Sequence, residues 1–105
     1  MKIKLHDYES EFEDDVTFGT CEMCMYVADA EYPYFYFTYE DGTTEKVEGF
    51  SWYWSDLRTI YIDNIPAFAA WMNDQDFAEG FRITNYSTLQ RLVDRYFQDK
   101  ENEEN

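Results

Sequence analysis

The first part of the chain alternates polar and apolar residues over short stretches, which is the pattern of half-buried β-strands. Lys2–Leu5 alternates in this way, and Val16–Val27 is rich in residues that favour strands, with Gly19 marking a bulge or a weak point within it. Tyr34–Tyr39 is almost wholly aromatic, a composition that favours a strand over a helix. These segments predict the first three strands of a sheet.

A hairpin is predicted after the aromatic run. The segment Glu40–Thr43 contains an Asp-Gly pair, and Asp-Gly between two strand-like runs is a strong hairpin signal. The return strand is predicted over Thr44–Trp52, and Arg58–Asp63 is predicted to be a further strand. The chain up to Asp63 therefore predicts four to five antiparallel strands.

The rest of the chain has helical features. Pro66 lies near the first turn of a short predicted helix that ends at Asn73, and Phe81–Asn85 is either a short strand or an extended connector. Ser87 followed by Gln90 matches a capping box at the start of a last helix. That helix carries an apolar stripe formed by Leu89, Leu92, Val93, Tyr96 and Phe97.

Consecutive strands followed by helices are typical of the α+β class. We expect one domain over residues 1–100, in which an antiparallel sheet of four to five strands has one or two C-terminal helices packed on one face. Residues 101–105 are polar and are predicted to form a C-terminal tail.

Charge changes this picture more than any other property of the composition. The chain has 23 acidic residues and 8 Lys or Arg, a net charge of -15, yet 45% of its residues are hydrophobic, so it is not an acidic disordered tail. No Lys or Arg lies between Lys4 and Lys46. Such a charge repels nucleic acid and anionic membranes and attracts basic protein surfaces. Solubility alone, as in halophile proteins, is the alternative explanation.

Targeting signals are not visible in the sequence. The first residues lack the apolar segment and cleavage site of a signal peptide, and no apolar run approaches the roughly 20 residues that span a bilayer. We therefore expect a cytoplasmic location, in the host-cell cytoplasm if a phage encodes the protein. Cys21 and Cys24 are then expected to be reduced thiols.

The residue types argue against catalysis and cofactors. Cys21 and Cys24 form a single Cys-x-x-Cys, whereas a structural zinc site needs four ligands, and the only histidine is His6. There is no Gly-x-Ser-x-Gly, and four glycines leave no phosphate-binding loop. The acidic stretch Asp7–Asp15 lacks the glycine and the ligand spacing of an EF-hand. We expect no enzyme activity, no cofactor and no metal site.

The same acidic stretch is the best candidate for function. In an extended chain, Asp7, Glu9, Glu11 and Glu13 share one face at a spacing of roughly 6.6 Å, two residues of strand rise. Neighbouring phosphates along a nucleic-acid strand are separated by a distance of the same order, so this row could occupy Lys and Arg sites that normally bind phosphates. A solvated acidic loop with no partner is the alternative, and in a helix the row would not exist.

An aromatic cluster is the second candidate. Trp52 and Trp54 would share one face of a strand, with Tyr53 on the other, so one face is expected to be exposed for protein binding. Burial of all three rings in the core is the alternative. The complete predicted partner-binding set is Asp7, Glu9, Glu11, Glu13, Asp14, Asp15, Glu31, Glu40, Asp41, Tyr8, Trp52 and Trp54.

In size and composition the chain resembles small acidic proteins of phages and mobile elements that block host nucleases, the anti-CRISPR and antirestriction DNA mimics. No family motif accompanies the resemblance, so no functional residues follow from it. It implies an inhibitor that binds the basic nucleic-acid-binding groove of a nuclease, without binding nucleic acid or membrane itself. The alternatives are an immunity protein or antitoxin against a basic toxin, and a phage structural or accessory domain that forms a homodimer through its aromatic face.

Overall fold

The computed structural model describes residues 1–19, 23 and 25–104, and in them the fold is α+β. Strands and helices follow one another in the predicted order. They are β1 (Ile3–Phe18), β2 (Tyr26–Tyr39), β3 (Thr44–Glu48), β4 (Phe50–Tyr53), β5 (Asp56–Thr59), α1 (Ile65–Asp74) and α2 (Tyr86–Glu104).

The described strands form two antiparallel sheets instead of the single predicted sheet. One sheet has the order β1-β2-β3, with β2 in the centre, and the other contains β4 and β5. The division falls at Gly49, whose N–H still donates to the Pro33 carbonyl at 2.7 Å before the chain leaves the ladder. A Cβ atom at Gly49 would lie only 2.5 Å from Cε2 of Phe35, so the backbone crosses the ring at a point where only glycine fits. The predicted return strand Thr44–Trp52 is therefore wrong as a single element.

Two other strand predictions also need correction. The first strand, predicted over Lys2–Leu5, continues through the acidic segment to Phe18. Val16–Val27 is not one strand, because its two ends belong to β1 and β2, which pair antiparallel. Both segments follow the backbone register between β1 and β2, which local composition does not reveal.

The strand predicted over Arg58–Asp63 is shifted in the structure. The paired segment β5 ends at Thr59, and Ile60 and Ile62, which follow it outside any strand, are buried. The predicted strand therefore overlaps the paired segment only at Arg58 and Thr59. The predicted turn at Glu40–Thr43 is confirmed, with Gly42 at φ 86 and its N–H donating to the Tyr39 carbonyl at 2.9 Å.

Both helices begin at an asparagine that caps the first turn. Asn64 Oδ1 accepts a hydrogen bond from the Ala67 N–H at 3.0 Å, and Asn85 Oδ1 accepts one from the Thr88 N–H at 2.9 Å. The predicted capping box at Ser87 is therefore wrong, because Asn85 lies at the cap position. The short helix predicted to end at Asn73 is confirmed with its end one residue later, and α2 continues through residues 101–104.

The core lies between the three-stranded sheet and the two helices. Phe35 at the sheet's centre meets Phe68 of α1 edge-on with ring centroids 6.5 Å apart, and Phe68 meets Tyr96 of α2 in the same way at 5.3 Å. The predicted stripe of α2 is confirmed as its core-facing side, with Phe97 half-buried at its edge. Of the helices in the described part of the chain, none is both long and apolar enough to cross a membrane.

The segment predicted as a strand or connector before α2 is a connector. The Ile83 N–H donates to the Tyr39 hydroxyl at 2.9 Å, and that hydroxyl donates to Glu45 at 2.8 Å. The Arg82 guanidinium lies 4.0 Å from the centroid of the Tyr39 ring and pairs with Asp41 at 2.9 Å. These contacts tie the connector to the β2–β3 turn.

Candidate partner-binding surface

A one-residue bulge sets the orientation of the acidic segment. Leu5 is opposite Phe37 and Asp7 is opposite Tyr36, so β1 contains one extra residue at His6. Without the bulge, with His6 in regular register, strict alternation would turn Asp7 to the same side as Ile3 and Leu5, which is the core side. The bulge lets the apolar start of β1 pack inward while Asp7 turns to solvent.

Four exposed carboxylates follow on that solvent face. Asp7, Glu9, Glu11 and Glu13, here called the acidic row, occupy alternate positions of β1 in uninterrupted register with β2. The segment is extended, as the row requires, and its pitch is about 6.6–6.8 Å between successive members. Because β1 is at the edge of the sheet, the row borders open solvent along one side.

Tyrosines of the central strand hold two members of the row. The Tyr36 hydroxyl donates to Oε2 of Glu9 at 3.0 Å, and the Tyr32 hydroxyl donates to Oε2 of Glu13 at 3.0 Å. Partial burial, followed by these bonds to carboxylates, raises the pKa of both Tyr36 and Tyr32 above the ordinary value. The two carboxylates are therefore oriented by a rigid neighbour, and each keeps its other oxygen for a partner.

A cation lies on the far side of these tyrosines. Lys46 of β3 is opposite Tyr36, and its Nζ is 4.3 Å from the centroid of the Tyr34 ring and 5.8 Å from that of Tyr36. The aromatic strand β2 thus separates this cation from the acidic row. Its charge contributes a cation–π contact and leaves the row exposed as a strip of carboxylates.

A second bulge ends the row. The register shifts between Glu13 and Val16, which leaves Asp14 and Asp15 exposed on a kink, with Asp15 at φ 58. The shift turns Val16 and Phe18 to the face of the row, where Phe18 is buried. Asp14 and Asp15 therefore extend the negative surface beyond the row but do not continue its spacing.

Tyr8 and Glu31 belong to the opposite face of the sheet. The ring of Tyr8 packs edge-on against Phe35 at 5.1 Å, and its hydroxyl lies 2.9 Å from Oγ of Ser10, which donates to Glu31 at 2.8 Å. Side-chain alternation separates both residues from the row. They form an internal polar chain at the margin of the core.

Glu40 and Asp41 lie at the β2–β3 turn and have partners within the chain. Glu40 accepts a hydrogen bond from the Lys2 N–H at 2.7 Å. Asp41 Oδ1 accepts bonds from the Thr43 hydroxyl and N–H, and Oδ2 pairs with Arg82; these bonds lower the pKa of Asp41 to about 2. The structure does not bring this pair together with the acidic row.

The two tryptophans do not share a strand face as predicted. Strand β4 ends at Tyr53, and Trp54 occupies the two-residue turn to β5 with φ 58. Trp52 is 46% exposed and stacks on Phe18 at 5.9 Å, whereas Trp54 is 78% exposed. A bulky residue in the left-handed region is strained, and such strain is concentrated at functional sites.

Sequence reasoning missed the tyrosines that face outward. Tyr32, Tyr34 and Tyr36 share the face of the acidic row, while Phe35 and Phe37 between and beside them are buried. The signal was present: within this run, Tyr and Phe alternate with a period of two. This alternation separates a half-exposed tyrosine face from the buried phenylalanine face.

Aromatic rings also cluster where the end of β1 and the start of β2 meet the β4–β5 hairpin. Phe18 stacks on Tyr26 at 5.4 Å as well as on Trp52, and Tyr26 and Tyr61 are exposed. Arg58 lies 4.8 Å from the centroid of the Tyr53 ring on the β4–β5 hairpin. This end of the molecule therefore has exposed apolar surface and a cation–π contact between Arg58 and Tyr53.

Within residues 1–19, 23 and 25–104, no group of three or more His, Cys, Asp or Glu side chains is arranged to hold a metal ion. Cys21 and Cys24, the predicted reduced thiols, lie outside the described residues. His6 is exposed at the first bulge of β1. The chain matches no protein-family model, no curated protein and no solved structure.

Proposed function

We propose that the protein inhibits a nuclease by mimicking DNA, in the manner of anti-CRISPR and antirestriction proteins, and that it binds the enzyme's basic nucleic-acid-binding groove. The observation that carries the proposal is the acidic row, four exposed carboxylates at regular spacing on one face of an edge strand. A groove that binds phosphates presents Lys and Arg at intervals set by the nucleic-acid backbone. A row of carboxylates on a strand offers acceptors at a comparable pitch.

Rigidity distinguishes this surface from a flexible acidic tail. The row lies in the part of β1 that pairs with β2 without interruption, and the Tyr36 and Tyr32 hydroxyls hold two of its carboxylates. Ordering those side chains before binding lowers the entropy lost on association. The row therefore binds as a preformed unit.

The charge of the whole chain supports the same mechanism. A net charge of -15 steers the protein toward a basic surface and raises the association rate, an effect that weakens with ionic strength. Contacts at short range come from exposed rings of the β4–β5 hairpin, of which Trp54 and Trp52 are the largest. Large aromatic side chains commonly supply the central contacts of protein interfaces.

The test measures displacement of fluorescently labelled DNA from a panel of CRISPR nucleases and restriction enzymes. We expect the protein to displace DNA from at least one enzyme at low salt, with weaker displacement as salt rises. Full DNA binding by every enzyme of the panel would contradict the proposal.

Matched variants separate the row from bulk charge. The row variant carries Glu9→Gln, Glu11→Gln and Glu13→Gln, whose amide oxygens still accept bonds from tyrosine hydroxyls. The control variant changes three other exposed glutamates, Glu79, Glu101 and Glu103, to Gln. Both variants therefore lose three negative charges. We expect the row variant to bind about tenfold to a hundredfold more weakly than the wild type, because each of the three lost ion pairs with the partner contributes about 0.5–1 kcal/mol. Equal weakening by both variants would show that only net charge matters.

A further inference from the structure

The outer edge of β1 is an unpaired strand edge. β1 pairs with β2 on one side only, and none of the described strands lies on its other side. The Tyr8 N–H donates to Oδ1 of its neighbour Asp7 at 2.8 Å, so it is turned away from β2. Residues two apart on a strand point their backbone groups the same way, and the register is regular from Asp7 to Glu13. Ser10 and Phe12 therefore also direct their N–H groups outward.

We infer that this edge accepts an extended segment of the partner as an additional strand, with Lys or Arg at every second position of that segment. The inference rests on the proposed function and deepens it, because it names the form in which the basic partner binds. Main-chain hydrogen bonds to the outward groups at Ser10 and Phe12 would supply affinity, and side chains would supply specificity.

The two faces of β1 specify the alternation of the added strand. On the face of β1 that carries the acidic row, side chains of the added strand would lie about 4.5–5.5 Å from the row. At that distance opposite charges attract and like charges repel. On the other face, Phe12 is 71% exposed and offers apolar contact. The matching segment therefore alternates basic and apolar residues.

Charge excludes a second copy of this chain as the occupant. Pairing two β1 edges would bring one acidic row beside another, with like charges across the pair. Edge strands are commonly protected against self-association by charged side chains and bulges, and β1 has both. The same features leave the edge open to a strand of opposite charge.

Hydrogen exchange measured by NMR tests the pairing directly. The probe is an octapeptide of alternating Lys and Val, and the control peptide has the same composition with four Lys followed by four Val. We expect the alternating peptide to bind more tightly and to slow exchange of the Ser10 and Phe12 amides. Binding of the alternating peptide without slowed exchange at both amides, or no binding, would overturn the inference.

A pair of variants at one position isolates the backbone group. Phe12→Pro removes an outward N–H without removing a bond to β2. Phe12→Val keeps that N–H, and valine is similar in size to proline. Against the alternating peptide, we expect Phe12→Pro to bind about tenfold more weakly than Phe12→Val, as for the loss of one hydrogen bond. Equal affinity of the two variants, both with wild-type melting, would overturn strand addition.

The outcomes distinguish this inference from the function on which it rests. If the protein displaces DNA from a nuclease but the Phe12→Pro and Phe12→Val variants do so equally, the inhibitor function stands and the strand pairing fails. If the peptide pairs with the edge but no enzyme loses DNA, the proposed function fails instead.

Discussion

The hydroxyl of Tyr36 donates a hydrogen bond of 3.0 Å to Oε2 of Glu9, from the central strand to the edge strand of the sheet. Glu9 is directly opposite Tyr34, so the bond runs diagonally across the ladder. Tyr32 makes the equivalent bond to Glu13. The acidic row is thus held by the strand whose other face forms the core, which links the candidate surface to the stability of the fold.

Removing the negative charge of Glu9 should lower the pKa of Tyr36. Partial burial and the bond to Glu9 raise this pKa, so Glu9→Gln, which removes the negative charge, should return it toward the ordinary value. A pH titration of tyrosine Cζ shifts by NMR measures the change. Glu11→Gln is the control, because Glu11 accepts neither tyrosine bond, and equal effects of the two changes would contradict the assignment.

The sign of the accompanying stability change follows from the raised pKa. A folded-state pKa above the unfolded value of 10.0 means that the contribution of Tyr36 is complete below pH 10 and is lost as the pH rises through the raised pKa. Urea denaturation between pH 9 and pH 11.5 should therefore show a smaller loss of stability for Tyr36→Phe than for the wild type.

Asp41 should govern part of the acid sensitivity of the fold. Hydrogen bonds from Thr43, and then Arg82, lower its pKa from 3.8 to about 2. Its contribution is therefore complete above pH 4 and is lost as the pH falls toward 2. Asp41→Asn should lower the urea midpoint at pH 7 and reduce the further fall between pH 4 and pH 2.

Asp74 provides the control for that change. It is an exposed carboxylate in the last turn of α1 with no ion pair among the described residues. Asp74→Asn should leave the midpoint at pH 7 and its acid dependence close to those of the wild type. If Asp41→Asn behaved in the same way, the Asp41–Arg82 contact would not stabilise the fold.

Gly49→Ala should destabilise the protein through a steric clash. The new Cβ would lie 2.5 Å from Cε2 of Phe35 and 3.0 Å from Cγ of Pro33, both in buried residues. We expect a loss of about 1–3 kcal/mol in the free energy of unfolding, the usual cost of overpacking. Gly42→Asn is the comparison, because no atom lies within 4 Å there and Asn tolerates a positive φ. A stable Gly49→Ala variant would contradict the close approach that divides the two sheets.

Trp54→Gly should separate stability from binding. Relief of the left-handed backbone at φ 58 is worth up to about 1 kcal/mol, and little buried surface is lost because the ring is 78% exposed. Thermal melting should show an unchanged or higher Tm, while affinity for the enzyme partner falls. A lower Tm with unchanged affinity would show that Trp54 serves the fold and not the interface.

Local patterns predicted the elements that depend on local physics. The Asp-Gly turn at Gly42, the short helix around Phe68 and the stripe of α2 follow from backbone preference and periodicity, and all three are present. The α+β class followed from their order along the chain. Each of these features is encoded within one turn or one helix.

Features that depend on pairing could not be predicted in this way. The length of β1 and the bulge at His6 result from its register with β2. The sequence of the acidic segment contains no local signal for either feature. The break at Gly49 depends on the position of Phe35, fourteen residues away. Alternation within Asp7–Glu13 did predict a shared face for four carboxylates, on the condition that the segment was extended, and β1 meets that condition.

Competition between DNA and the protein for one enzyme tests the central claim most directly. A nuclease whose DNA is displaced should bind the protein with an apparent Kd that rises in proportion to the concentration of added DNA, because both ligands need the same basic groove. A stable ternary complex of enzyme, DNA and protein, with an apparent Kd independent of DNA, would contradict mimicry by the acidic row.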